Sequence, residues 1–169
     1  MNMKYFKILL TIVSCFVVKH IKAQDLRTEA KSFSLAIVSS YFSGNCDSFY
    51  NKLSSELWLM DGDGVVKIQD LKPEICEAMA GAVKNKEKTF LDYLNDFEIE
   101  ILSNEEFKMR YDAPFPSYYI PAPDDYFFIG YQPKTTADEL SMDRFYIRED
   151  MFIFMVRKEN GVWKMKGTS

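Results

Sequence analysis

The sequence predicts an α+β fold: N-terminal helices packed on a curved, mostly antiparallel sheet. Three observations carry this reading. Over the first half, apolar residues recur at steps of three and four, the period of a helix face. Over the second half they alternate with polar residues, the period of a strand with one buried side. The order also matters, because helices followed by a run of closely spaced strands build α+β domains.

The chain has 169 residues, and its first 23 read as an export signal. Lys4 and Lys7 give a positive start, Ile8 to Val18 is an uncharged apolar run, and residues 19–23 are polar and end on Ala23. That is the layout of a secretory signal peptide. The run falls short of the roughly 20 apolar residues a spanning helix needs. Cleavage after Ala23 divides the chain into a signal, 1–23, and a single domain, 24–169. A rival reading takes Ile12-Val13-Ser14-Cys15 as a lipobox with Cys15 lipidated, although Phe16, Val17 and Val18 prolong the apolar run past it. The expected location is the periplasm or the exterior, with a lipid-anchored envelope protein as the alternative.

Removing the signal takes Lys and Arg from 21 to 17 while Asp and Glu stay at 25, so the net charge goes from -4 to -8. A chain this acidic repels phosphate backbones, which argues against a nucleic-acid partner. The lone histidine, His20, leaves with the signal. The mature chain then lacks the commonest proton shuttle and zinc ligand. Two cysteines remain, Cys46 and Cys76. An oxidising compartment favours a disulfide between them, and two small buried residues on packed helices is the other reading.

The elements follow in order. Leu26, Ala30, Phe33, Ile37 and Tyr41 mark one face of a helix, with Asp25 as its start cap and Gly44 at its end. Asp47 is expected to cap a second helix carrying Phe49, Leu53 and Leu57 on one side. Leu57 to Met60 reads as a short strand, and Asp61-Gly62-Asp63-Gly64 as a turn. Asp70 precedes a third helix with Pro73 in its first turn and Leu71, Ile75, Met79 and Val83 at helical spacing. Thr89 to Asp92 reads as a capping box opening a short turn. Phe97, Ile99 and Ile101 alternate with acids, as Phe107, Met109 and Tyr111 alternate with polar residues. Both runs are expected as strands joined by a tight turn at Ser103-Asn104-Glu105. Tyr126 to Tyr131 is a further strand. Met151 to Lys158, apolar on both faces, is expected to be central. Asn160-Gly161 tips a hairpin into the last strand, Val162 to Lys166. Two connections interrupt this order: 112–125, which holds Pro114, Pro116, Pro121 and Pro123, and the polar stretch 132–143.

The closing segment Phe152-Ile153-Phe154-Met155-Val156-Arg157-Lys158-Glu159-Asn160-Gly161-Val162-Trp163-Lys164-Met165 resembles the end of NTF2-like (cystatin-like cone) domains. The opening helix ending in Tyr41-Phe42-Ser43-Gly44-Asn45 fits the same pattern. The ending Ile21-Lys22-Ala23-Gln24 resembles signals common in bacteria of the Bacteroidetes type. The resemblance implies a helix-backed conical sheet over Asp25 to Gly167, with a pocket inside the cone. It also implies dimers that meet through the sheet. The Pro-rich insert between Tyr111 and Tyr126 departs from the simple pattern and is expected as a lid or a decoration. Members range from isomerases and dehydratases to transport factors, so fold alone leaves the chemistry open.

No catalytic residue is assigned. Asp61-Gly62-Asp63-Gly64 fails as a calcium loop, because Gly64 at position six places Leu59 at position one. Zinc lacks histidines, a cysteine nucleophile lacks a base, and no phosphate-binding glycine loop occurs. No metal or cofactor is therefore expected. The expected ligand-binding residues are Tyr118, Tyr119, Tyr126, Tyr131, Trp58 and Asp143, lining a pocket gated by 112–125. The function expected is a non-catalytic module holding a small apolar or amphipathic ligand or an envelope protein. The alternative is a lyase or isomerase using an Asp-Tyr pair, as the steroid isomerases of the resembling superfamily do. Its raw material is Tyr41, Tyr111 and Tyr146 beside the tyrosines above, with Asp92, Asp112 and Asp143. The bland reading of these residues is core, rim and solvated surface.

Overall fold

A computed structural model describes residues 3–60, 64–85, 89–111, 119–120, 122–131 and 152–168. Helix α1 (Met3–Phe42) leads into α2 (Cys46–Tyr50), strand β1 (Leu53–Leu59) and β2 (Gly64–Lys67). A 3-10 turn (Ile68–Asp70) precedes α3 (Lys72–Asn85) and α4 (Phe90–Asp96). Then come β3 (Glu98–Ser103), α5 (Asn104–Tyr111), β4 (Tyr126–Tyr131), β5 (Phe152–Glu159) and β6 (Val162–Thr168). The strands form one sheet in the order β2-β1-β6-β5-β4-β3. Its neighbours are antiparallel except β1 with β6, which run parallel. This is the expected α+β class.

The strand period sorts the core into two halves. Toward α1 point Tyr126, Phe128, Phe154, Val156, Trp163 and Met165, packed on Ala30, Ile37 and Val38. From the opposite face Phe127, Ile129, Ile153 and Met155 meet Phe107, Tyr111 and Tyr119. Strand β5 is apolar on both sides because it lies inside the sheet with a core on each face, as expected.

Local signals worked where short-range hydrogen bonds decide. Gly44 takes φ +68°, its N–H donates to Tyr41 O and that of Asn45 to Ser40 O, a Schellman ending for α1. Thr89 Oγ1 accepts from Asp92 N, and the Asp92 carboxylate accepts from Thr89 N, which closes a capping box on α4. Asn160 and Gly161 have φ of 52° and 81°, the left-handed pair a two-residue hairpin demands.

Three expectations are corrected. Residues 104–111 form helix α5, not a strand. Ser103 Oγ accepts from Glu106 N while Glu106 Oε2 accepts from Ser103 N, a second capping box that starts a helix where a hairpin was expected. Phe107 and Tyr111, four apart, are buried, whereas Met109 between them is 75% exposed. Next, Asn45 and not Asp47 caps α2, with its side chain accepting from Ser48 N, and α2 stops at Tyr50. Leu53 and Leu57 belong to β1, because a step of four is even and satisfies a strand's period of two as well as a helix's. Finally, Asp25 lies inside α1 rather than at its start, because the apolar run before it propagates the same helix. No helix among the described residues is long and apolar enough to cross a membrane.

Cys46 and Cys76 are bonded, with Cα atoms 5.3 Å apart, and tie α2 to α3. Cys15 lies within α1. The turn residues Asp61, Gly62 and Asp63 lie outside the described residues, as do Asp112, Tyr118, Asp143 and Tyr146.

Candidate functional site

Strand parity decides which expected site residues can meet. Trp58 of β1 and Tyr119 come together on the sheet face away from α1, ring centroids 4.7 Å apart and nearly perpendicular. Tyr126 begins β4 with the opposite parity to Phe127 and faces α1, where its ring packs on Trp163. Tyr131 lies at the far end of β4, its hydroxyl donating to Glu100 Oε1 at 2.9 Å. Burial and the neighbouring Glu100 push that phenol well above its usual range. Of the four described residues, Trp58 and Tyr119 are neighbours, Tyr131 packs against the same apolar cluster from the far end of β4, and Tyr126 faces α1; Tyr118 and Asp143 lie outside the described residues.

Around Trp58 and Tyr119 stands a polar cluster that the sequence reading missed. Asp125, just before β4, has no exposed surface. Its carboxylate accepts from Arg157 Nε on one oxygen and from Arg157 Nη2 on the other, the latter at 2.8 Å. Tyr119 OH donates to it at 2.6 Å and Ala122 N at 2.8 Å. Four donors match the roughly four lone-pair sites of a carboxylate. Burial, then the hydrogen bond to Asp125, raises the Tyr119 phenol far above its ordinary value. Arg157, held by Asp125, is pushed up as well. A buried Asp beside a Tyr hydroxyl is thus present, but Asp125 is bound to Tyr119 and Arg157, and Tyr119 to Asp125 and Asn104. A charge within an otherwise apolar inner strand has to be paired, so Arg157 was the available sequence signal.

The same face continues toward β6. Arg157 lies 4.9 Å and Lys166 5.6 Å from the Trp58 ring, within cation–π reach. Lys166 also meets Glu159 at 3.0 Å and Ser54 Oγ at 3.0 Å, and Ser54 donates to Glu159 at 2.9 Å. Burial pushes the Glu159 carboxyl up, but Lys166 and Ser54 outweigh it and hold it below the usual range. Gly167 gives Trp58 its place: a Cβ there would stand 3.2 Å from Trp58 O.

An open groove of about 980 Å³ runs between the 23–27 stretch of α1, helix α5 and residues 122–126. Tyr126 borders it, with Ala122 and Pro123 from the Pro-rich connection and Met109 from α5. Arg27 and Glu106 form an ion pair across it. The hydrogen bond from Arg27, with Ser103 assisting, outweighs burial and lowers the Glu106 carboxyl to about 2. Arg27 is raised in return. The groove therefore presents a fixed pair of opposite charges beside an aromatic edge and an exposed methionine. Such a lining can orient a polar head and cover an apolar tail. Among the described residues no group of three or more His, Cys, Asp or Glu could hold a metal.

No protein-family model matches the chain, and no curated protein matches it either.

Proposed function

We propose that this protein is an exported, non-catalytic binding module of NTF2-like shape, and that the groove between α1, α5 and residues 122–126 holds a small amphipathic ligand. The groove itself carries the reading. Its volume of about 980 Å³ lies near the upper end for small-molecule sites. Ala122, Pro123, Met109 and Tyr126 offer apolar surface, and the Arg27–Glu106 pair and Asn104 offer polar contacts. Arg27, Glu106 and Tyr126 all belong to the part that cleavage after Ala23 would leave.

The Asp-Tyr alternative gains a pair, Tyr119–Asp125, but not a free proton acceptor, since the carboxylate is already filled by four donors. A dimer through the sheet would want an apolar outer face. Strands β1, β6 and β5 instead present Ser54, Lys166, Arg157 and Glu159 there.

Native mass spectrometry of the mature protein recovered from its own envelope or secreted fraction tests this. The expected result is a monomer with a retained amphipathic molecule that Met109→Trp, filling the groove, displaces. A molecule that stays bound in Met109→Trp, or a dimer stripped of ligand, sinks the groove reading.

A further inference from the structure

One end of the groove holds the peptide bond that export would cut. Ala23 and Gln24 both line it. Tyr126 lines it as well, is 5% exposed, and donates its hydroxyl proton to Ala23 O at 3.4 Å. That oxygen belongs to the Ala23–Gln24 peptide. Helix α1 runs through this point without a break, from Met3 to Phe42. An α-helix bonds each N–H to the carbonyl four residues back, so the N–H groups of 24–27 rest on the carbonyls of 20–23.

Cleavage after Ala23 removes these acceptors together. The N–H groups of 24–27 then open a helix that runs on to Phe42, and their partial positive charge favours an anion beside them. Tyr126 loses its acceptor in the same event. Its hydroxyl makes no other hydrogen bond among the described residues. A buried hydroxyl without a partner is costly, so a ligand oxygen gains by standing where the Ala23 oxygen stood.

The side chains agree with an anion. Among the described residues, Arg27 gives a hydrogen bond only to Glu106 Oε2. A guanidinium carries N–H donors on all three nitrogens, which leaves it an edge for a carboxylate or phosphate. Glu106 is already held, by Arg27 and by Ser103 N. Asn104 accepts from Tyr119 through Oδ1, and its amide N–H groups make no hydrogen bond among the described residues. Of the charged residues along the groove, Arg27 and Lys108 balance Glu105 and Glu106. Asp25, in the new first turn, is exposed and does not line it. The freed end of α1 therefore sets the sign.

We propose that signal cleavage completes the groove, and that its ligand is an acidic amphiphile. The carboxylate or phosphate head sits among Tyr126, Arg27 and the first N–H groups of mature α1. The apolar chain lies along Met109, Ala122 and Pro123. This rests on the groove being a ligand site and adds the charge and the seat of the head.

The test is calorimetric titration of the mature protein, recovered from its own envelope or secreted fraction. The probes share one chain length and stay below their micelle concentrations: dodecanoate, dodecyl phosphate, dodecanol and dodecyltrimethylammonium. At least one anion should bind about tenfold or more tighter than dodecanol, with the cation weakest. The tighter anion tells a fatty-acid head from a phosphate head. Tyr126→Phe, which removes only the hydroxyl, should weaken that anion by about tenfold and leave dodecanol unchanged. Should Tyr126→Phe misfold, the ranking of the probes on the wild-type protein decides alone. Equal affinity for every probe, lost in Met109→Trp, would overturn the anionic head while keeping the groove as a ligand site. No binding of any probe, or binding that Met109→Trp leaves intact, would sink both. An intact mass showing a first residue other than Gln24 would also overturn the proposal.

Discussion

Arg157 of β5 grips Asp125 through both oxygens of its carboxylate, and Asp125 has no exposed surface. The pair ties the segment before β4 to the middle of the sheet, and Arg157 Nη2 also donates to Ile120 O at 2.8 Å. Breaking one side leaves the other charge buried alone. Asp125→Ala and Arg157→Met should each destabilise the fold by about 3–5 kcal/mol. The double variant should lose less than the two together, as urea unfolding in a double-mutant cycle will read. Additive losses would mean that the pair is not coupled.

Helix α5 can be tested one residue at a time. Phe107→Ala empties a buried site against Phe127, whose ring stacks on it at 4.1 Å, and should cost about 3–5 kcal/mol. Ser103→Ala removes the cap and should cost about 1 kcal/mol. Met109→Lys, on the exposed side, should stay within about 0.5 kcal/mol of wild type. If residues 104–111 were a strand, Met109 would share the face of Phe107 and Met109→Lys would be severe. Thermal unfolding of the three variants decides.

The Arg27–Glu106 pair predicts a particular acid sensitivity. The folded Glu106 carboxyl is depressed to about 2 from an ordinary value of 4.5. Its contribution is therefore fully present above about pH 4.5 and is lost as pH falls toward 2. Both side chains are more than a third exposed, so solvent screens the pair and about 1 kcal/mol is the expected size. Glu106→Gln should flatten that part of the stability profile between pH 4.5 and 2. An unchanged profile would place the acid sensitivity in other carboxylates.

The Cys46–Cys76 bond closes a loop across a separation of 30 residues. Chain entropy assigns such a crosslink roughly 3–4 kcal/mol. Reduction, or Cys46→Ala with Cys76→Ala, should lower the urea midpoint accordingly. A midpoint indifferent to reductant would show that packing of α2 on α3 already holds this corner.

How far these features could be read beforehand depended on the range of the interaction involved. The capping box at Thr89 and Asp92 and the Asn160-Gly161 turn were visible because each is closed by residues within three positions. The box at Ser103 and Glu106 is as local, yet the alternation of Phe107, Met109 and Tyr111 masked it. Residues four apart, such as Phe107 and Tyr111, fit both periods, whereas a step of two fits only a strand, and the exposure of Met109 separates the two. Leu53 and Leu57 were misplaced for the same reason. Of the candidate site, the sequence points to Trp58 and Tyr119, while the pairing of Asp125 with Arg157 comes only from the fold.

Taken alone, the order of residues determines the class, the strands β3 to β6 and the Asn160-Gly161 turn, because periodicity and capping act over a few neighbours. It also places Arg157 where a charge must find a partner. Only the folded chain decides which partner. Asp125 lies 32 residues away, and strand pairing and register alone bring it to the same face. The groove between α1 and α5 and the meeting of Tyr126 with Ala23 arise in the same way. They depend on how helices seat on a sheet, which is set by packing between distant segments and leaves no pattern in the local sequence.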